Sequence, residues 1–274
     1  MDGRTVGAGG YRLGELLGQG ASGVVYRASA PDGTEVAVKL LRPERAGDAL
    51  ARRRFAREAR IAAAIDSPHV APVLETGESD GAAYIVLPLY RDGSLAGRLR
   101  ARGRLDPDDT AALAAQLGKG LDALHAAGVL HRDLKPSNVL LDGEVAALAD
   151  FGLARATDST RVTRDGHPLG TAHYLAPELI EGEDASRASD LYALGCVLYE
   201  CLVSEPPFTG RSAAELGFAH LVEPTPDPRA RRPELSAGVA LALLTALEKS
   251  PTARPTSATA LARMLHLART AAPA

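Results

Sequence analysis

The sequence predicts an α+β fold of two lobes, a small antiparallel β lobe with one main helix and a larger, mostly helical lobe. Three observations predict it. Alternating apolar and polar residues with Gly and Pro-Asp-Gly turns recur in the first third of the chain. A 3.6-residue apolar period appears once within that third and again from residue 108 onward. Between the two regimes lies a short connector, 88–93, that opens on Pro88 and closes on Gly93. The expected boundaries are a disordered tail over 1–10, a small lobe over 11–87, the hinge over 88–93, a large lobe over 94–267 and a tail over 268–274.

Each element has its own signal. Residues 11–41 read as a three-strand meander, broken by the Gly-rich stretch 18–23 and by Pro31-Asp32-Gly33. From about Asp48 to Ile65, Phe55, Ala59, Ala62 and Ile65 share one helical face, and Pro68 closes that helix. Strands follow near 70–76 and 82–87. A helix over 108–127 starts at Asp106-Pro107 and stops at Gly128. The segment 189–203 is apolar almost all round, which marks a buried strut ended by Pro206-Pro207. Later helices are expected over 212–221, 237–247 and 257–269.

Composition narrows the class. A length of 274 residues suits two lobes with a shared cleft, and 46% hydrophobic residues supply a core. The net charge of −3 argues against a general nucleic-acid or membrane-surface binder. The first ten residues lack the apolar stretch of a signal peptide, and no window is apolar enough to span a bilayer. Cys196 and Cys201, five apart in one apolar helix, point to different sides and read as reduced core residues of a cytosolic protein.

The chemistry concentrates in two short segments. His131-Arg132-Asp133-Leu134-Lys135-Pro136-Ser137-Asn138 is followed, twelve residues after Asn138, by Asp150-Phe151-Gly152. Asp133 can orient a hydroxyl, Lys135 can meet a phosphate, and Asn138 and Asp150 can ligate a divalent metal. Phosphoryl transfer needs that set, because its loose transition state is served by positioning and fixed charge rather than by strong basicity. Of 31 basic residues only Lys39, Lys119, Lys135 and Lys249 are lysines. Two of the four therefore stand where a compact ammonium would serve phosphate better than a wide guanidinium. Lys39 lies in the strand-like Val36-Ala37-Val38-Lys39, on the face opposite Val38, and Glu58 on the following helix is its natural partner. The glycines of Gly18-Gln19-Gly20-Ala21-Ser22-Gly23 would let backbone amides approach a polyphosphate. Val24-Val25-Tyr26 continues as a strand, which excludes a dinucleotide-binding turn that opens into a helix. His125, His131 and Phe151 read as supports for these loops.

Together these motifs resemble the serine/threonine protein kinases of the eukaryotic-like (Hanks) type found in bacteria, over about residues 11–267. The resemblance implies a protein-kinase-like bilobal fold and transfer of the ATP γ-phosphoryl group to Ser/Thr hydroxyls of proteins, with Mg²⁺ or Mn²⁺. It implies catalytic roles for Asp133, Lys135, Lys39, Glu58, Asn138 and Asp150, with Asn138 and Asp150 as metal ligands. It implies nucleotide contacts from Leu17, Gly18, Gln19, Gly20, Ala21, Ser22, Gly23, Val25, Ala37, Lys39, Leu87, Pro88, Tyr90, Asn138 and Asp150. Leu87 matches the residue behind the adenine, and Pro88 departs from the usual acidic residue without losing the carbonyl that accepts from the base. Ala176-Pro177-Glu178 resembles the end of an activation segment, Asp190 the anchor of the catalytic loop, and Arg254 the partner of Glu178. Between Asp150 and Glu178, Thr163 and Thr160 are the expected autophosphorylation sites, and Thr171 belongs to the substrate platform. Asp165 is expected to stand in partly for a phosphate. Partners implied are Ser/Thr-bearing proteins and a transient homodimer for trans-autophosphorylation, with no nucleic acid and no direct membrane contact. The expected location is cytoplasmic, alone or as the cytoplasmic domain of a longer membrane-anchored kinase. Two other readings stay open on the residues alone: a pseudokinase-like nucleotide-binding scaffold, and a small-molecule kinase of the aminoglycoside type.

Overall fold

Strand alternation sorts the small lobe into two faces, and each face builds its own core. The computed structural model describes residues 3–20, 23–42, 55–56, 59–61, 63–151 and 172–269. Strands β1 (Thr5–Val6), β2 (Tyr11–Gln19), β3 (Val24–Ser29), β4 (Glu35–Leu40), β5 (Glu75–Ser79) and β6 (Ala82–Pro88) form one antiparallel sheet in the order β1-β2-β3-β4-β6-β5. Directly paired residues share a face. Val25 therefore lies with Lys39, Ala37 with Leu87, and Lys39 with Ile85. On that inner face Leu41, Ile85, Phe55 and Ala59 pack together, the last two from helical turns after β4. The outer face carries a second core of Val6, Leu13, Ala28, Val36, Val38, Leu40, Tyr84 and Val86.

The outer core corrects one expectation. Residues 3–10, expected as a disordered tail, are ordered: Val6 is 1% exposed, and β1 pairs with β2 as Thr5↔Arg12 and Val6↔Tyr11. One buried valine in a Gly-rich stretch leaves no periodic signal, so the sequence alone did not reveal it. β5 also begins later than expected. Val70 instead forms an isolated bridge with Leu148, and the Ala71 amide donates to the Leu148 carbonyl at 2.8 Å, which docks this stretch on the large lobe.

The large lobe is helical, with helices α1 (Leu95–Arg102), α2 (Pro107–Ala126), α3 (Pro177–Ile180), α4 (Arg187–Val203), α5 (Ala213–Val222), α6 (Ala237–Ala246) and α7 (Ala258–Arg269). A hairpin of β7 (Val139–Asp142) and β8 (Val145–Leu148) carries the loops of the site. Helix α4 is the strut: Leu191, Tyr192, Leu194, Cys196, Val197, Leu198, Tyr199 and Cys201 are all buried around it. Ser186 and Ser189 start it with a reciprocal capping box. Burial pushes the thiols of both cysteines well above their ordinary range, so they are inert core residues. Asp106 stands at the N-cap of α2, yet its side chain makes no capping bond and lies 3.5 Å from Arg232. Helix α7 runs through Ala268, so the expected tail over 268–274 begins inside a helix. Among the described residues, no helix is long and apolar enough to cross a membrane.

Candidate active site

The first segment is shaped by a residue 57 positions away from its centre of action. Asp190, in the first turn of the buried α4, accepts the backbone N–H of His131 and of Arg132, each at 2.8 Å. Nε2–H of His125, at the end of α2, donates to the same carboxylate at 2.8 Å. Arg132 has φ +64°, a left-handed conformation that a side-chain-bearing residue adopts only when its surroundings impose it. Among the described residues, fully buried His131 has no partner on either ring nitrogen, and desolvation lowers its pKa, so the ring stays neutral. It packs edge-on against Phe151, with centroids 6.3 Å apart. His125, His131 and Phe151 are thus supports, as expected.

The turn so formed presents Asp133. Its Oδ2 accepts from Lys135 Nζ at 2.8 Å and from Asn138 Nδ2 at 3.2 Å, while Asn138 Nδ2 also donates to the Asp133 carbonyl at 2.8 Å. Its Oδ1 has no hydrogen-bond partner among the described residues. A buried carboxylate oxygen without a donor is costly, and it marks where a substrate hydroxyl could donate.

Asp150 arrives from the other side. The Ala149 amide donates to the Asn138 carbonyl at 2.9 Å, which holds the two loops shoulder to shoulder. Asp150 also has a positive φ, +53°, and its Oδ1 accepts from Lys39 Nζ at 2.6 Å. Burial opposes the Asp150 charge, but the Lys39 ammonium outweighs it and holds the carboxyl below the usual range. Lys39 itself is 2% exposed, so its charge is committed to this cleft. Asn138 and Asp150 fit a divalent ion of the magnesium kind, which takes one or two protein oxygens and completes its shell with substrate and water.

The roof of the cleft is the turn between β2 and β3. Gly23 has no room for a side chain: a Cβ would stand 2.4 Å from the Leu40 carbonyl oxygen. Gly20 N–H donates to the Gly23 carbonyl at 2.9 Å and closes the turn. Among the described residues, a Cβ on Gly18 or Gly20 would meet nothing within 4 Å, which leaves room for a ligand there. Val25, Ala37, Lys39 and Leu87 are brought to one sheet face below this roof. Leu17, Gln19, Pro88 and Tyr90 lie on the strands and connector that border it, with Leu17 exposed. Glu58, Ala21, Ser22, Thr160, Thr163, Asp165 and Thr171 lie outside the described residues.

Away from the cleft, Arg254 clamps Glu178 with two bonds, Nη1 to Oε1 at 2.7 Å and Nη2 to Oε2 at 2.8 Å, as expected. Its remaining donors reach the carbonyls of Ala188, Glu248 and Lys249. The structure adds a pair that the sequence reading passed over. Tyr174 Oη donates to Glu200 at 2.6 Å, and both line a cavity of about 310 Å³ that also touches Lys135 and Ser137. The available signal was Glu200 itself, a lone acid late in an apolar helix.

Comparison with known proteins agrees with this geometry. The family described as "Protein kinase domain" matches residues 11–265. The serine/threonine-protein kinase PknH of Mycobacterium bovis is 40% identical over 93% of this chain and 43% of its own length. PknE of Mycobacterium tuberculosis is 38% identical over 94% of this chain and 46% of its own length. The chain thus spans less than half of these curated relatives. The crystal structure of the Mycobacterium tuberculosis PknI kinase domain superposes with a TM-score of 0.75 at 30% identity, covering 97% of this chain and 98% of that one. The chain belongs to the protein kinase domain family.

Proposed function

We infer that this chain is a serine/threonine protein kinase domain that moves the γ-phosphoryl group of ATP to Ser or Thr hydroxyls of proteins. The observation that carries this reading is the Asp133 carboxylate, one oxygen held by Lys135 and Asn138 and the other buried with no donor among the described residues. Asp133 Oδ1 accepts the acceptor hydroxyl and orients its oxygen toward phosphorus. As the new O–P bond forms and the bond to the β–γ bridging oxygen breaks, the hydroxyl proton passes to Asp133. Lys135 sets its ammonium where negative charge develops, and Lys39 pairs with the phosphates on the far side of Asp150. Mg²⁺ or Mn²⁺, held by Asn138 and Asp150, would neutralise charge on the phosphate oxygens. The adenine is read to lie against Ala37 and Leu87, with its polar edge on the backbone of Pro88 and Tyr90.

The likeness to PknH and PknE supports Ser/Thr as the acceptor class. Thr163 and Thr160 are our proposed autophosphorylation sites in a transient homodimer, and Thr171 our proposed part of the substrate platform. We read residues 11–267 as the catalytic unit and place it in the cytoplasm, as part of a longer kinase or alone. The test is incubation of wild type and Asp133→Asn with Mg²⁺ and labelled ATP, followed by phosphosite mapping. Label on Thr163 or Thr160 in wild type alone is the expected result. Tight nucleotide binding without any transfer would replace this reading with a nucleotide-binding scaffold.

A further inference from the structure

The family match begins at residue 11, yet the chain before it is built into the small lobe. The Gly3 amide donates to the Leu13 carbonyl at 3.1 Å, and the Leu13 amide donates to the Arg4 carbonyl at 2.8 Å. The chain then reverses at Gly7–Gly10, whose turn is closed by a Gly10 to Gly7 bond of 3.2 Å. This turn does not hang in solvent. It lies on two tyrosine rings from different strands, so closely that a Cβ on Gly7 would stand 2.6 Å from Tyr84 and one on Gly9 2.5 Å from Tyr11.

A single carboxylate joins those rings. Glu75 Oε1 accepts from Tyr84 Oη at 2.6 Å, and Glu75 Oε2 accepts from Tyr11 Oη at 2.9 Å. Tyr84 Oη in turn accepts from the Ala8 amide at 3.4 Å. Tyr11 opens β2 and Tyr84 is on β6, strands separated in the sheet by β3 and β4. The N-terminal turn and Glu75 therefore tie together two strands that share no ladder hydrogen bond. Each leads to a different part of the cleft. β2 runs into the Gly18–Gly23 roof, and β6 runs into Leu87 and the connector.

We propose that residues 3–10, with Tyr11, Glu75 and Tyr84, form a clasp that positions the glycine-rich roof against the connector and so sets the affinity for ATP. These are positioning residues; none of them touches the reacting atoms. The proposal rests on the reading that the cleft takes ATP. Its signature is a split: loosening the clasp raises KM for ATP and leaves kcat near wild type, because the Asp133 loop hangs from α4 and Lys39, although on this sheet, keeps its own β3 and β6 ladders and its Asp150 bond.

The experiment compares the wild-type chain with Val6→Ser, Glu75→Ala, Tyr11→Phe and the conservative Val6→Ile. Two readouts are taken, amide hydrogen exchange over residues 11–19 without nucleotide, and steady-state kinetics with ATP. Faster exchange and an about fivefold higher KM, the scale of one lost hydrogen bond, are expected for Glu75→Ala and Val6→Ser. Tyr11→Phe should show a smaller change in the same direction, and Val6→Ile should match wild type. Unchanged exchange over 11–19 in the loosened variants would overturn the clasp, as would kcat and KM effects that merely follow a lost folded fraction. If Val6→Ser and Glu75→Ala do not fold, Tyr11→Phe decides alone, and wild-type exchange and KM in it would overturn the proposal. Wild type without ATP turnover would sink the kinase reading, while the nucleotide-free exchange comparison still decides the clasp.

Discussion

Asp190 Oδ1 accepts the Arg132 amide at 2.8 Å, and that bond holds a residue whose φ of +64° its own side chain disfavours. The pair converts a rigid helix end into a defined loop, since Asp190 lies in the first turn of the buried α4. Four described non-glycine residues have positive φ, and two of them, Arg132 and Asp150, adjoin or belong to the proposed catalytic set. Backbone strain is thus placed where groups must be aimed, and it is stabilised by buried partners.

Asp190→Ala should separate stability from chemistry. It strands two backbone N–H groups and His125, which costs about 3–5 kcal/mol of unfolding free energy by urea titration. The loop that carries Asp133 should relax, and kcat should fall by about 100-fold with KM for ATP nearly unchanged. A kcat within about threefold of wild type would show that the loop holds its shape without this anchor.

Lys39→Met removes an ammonium that is 2% exposed and paired at 2.6 Å with Asp150. Burying Lys39 carries a desolvation cost, and the Asp150 left behind is 39% exposed and can take up water. The variant should therefore lose phosphoryl transfer by about 100-fold or more while its unfolding free energy stays within about 1 kcal/mol of wild type. Calorimetry beside a phosphorylation assay checks both halves. A destabilisation above about 3 kcal/mol would mean that the pair holds the lobes together.

What the sequence revealed follows from where the determinants are local. Asp133, Lys135, Asn138 and Asp150 sit in two short segments with fixed spacing, so their association was legible before any fold. The strut α4 and the meander β2-β3-β4 were legible because periodicity is a local property. Helix α1 and the hairpin β7-β8 were passed over, since Arg-rich and four-residue elements take their stability from docking rather than pattern. Docking also explains Val70, drawn from the expected strand to Leu148. Val6 is the sharpest case: one apolar residue among glycines becomes core only because the sheet's outer face offers Leu13, Val38 and Tyr84.

The Arg254–Glu178 clamp predicts that charge alone will not do. Arg254 spreads five hydrogen bonds over Glu178 and three carbonyls, and its guanidinium lies 4.8 Å from the centre of the Tyr192 ring. Lysine keeps the charge but not the planar fork. Arg254→Lys should lose about 2–4 kcal/mol, close to the loss in Glu178→Gln, and the double variant should cost less than the sum. A double-mutant cycle in urea measures that coupling. Additive losses would mean that Arg254 acts through the carbonyls and not through Glu178.

His220 predicts an acid-sensitive large lobe. Its ring is fully buried between Phe208 and Tyr192, with Nδ1 2.8 Å from the Tyr192 hydroxyl. Burial first, then the charges of Lys249 and His173, lower its pKa to about 3. The unfolded chain takes up the proton near the ordinary value of about 6.5, whereas the folded chain does not. Between those values the unfolded state binds more protons, so stability falls as the solution is acidified. The contribution is complete above about pH 6.5, declines by about 1.4 kcal/mol per pH unit below it, and is exhausted near the folded pKa. Buried neutral His131, whose pKa is lowered too, adds to the slope in the same direction. His220→Asn keeps an acceptor for Tyr192 and removes the titration, so its stability between pH 6.5 and 5 should decline less steeply, by about one proton. Urea unfolding at several pH values reads the two slopes. Equal slopes would mean that the ring takes up its proton in the folded protein as readily as in the unfolded chain.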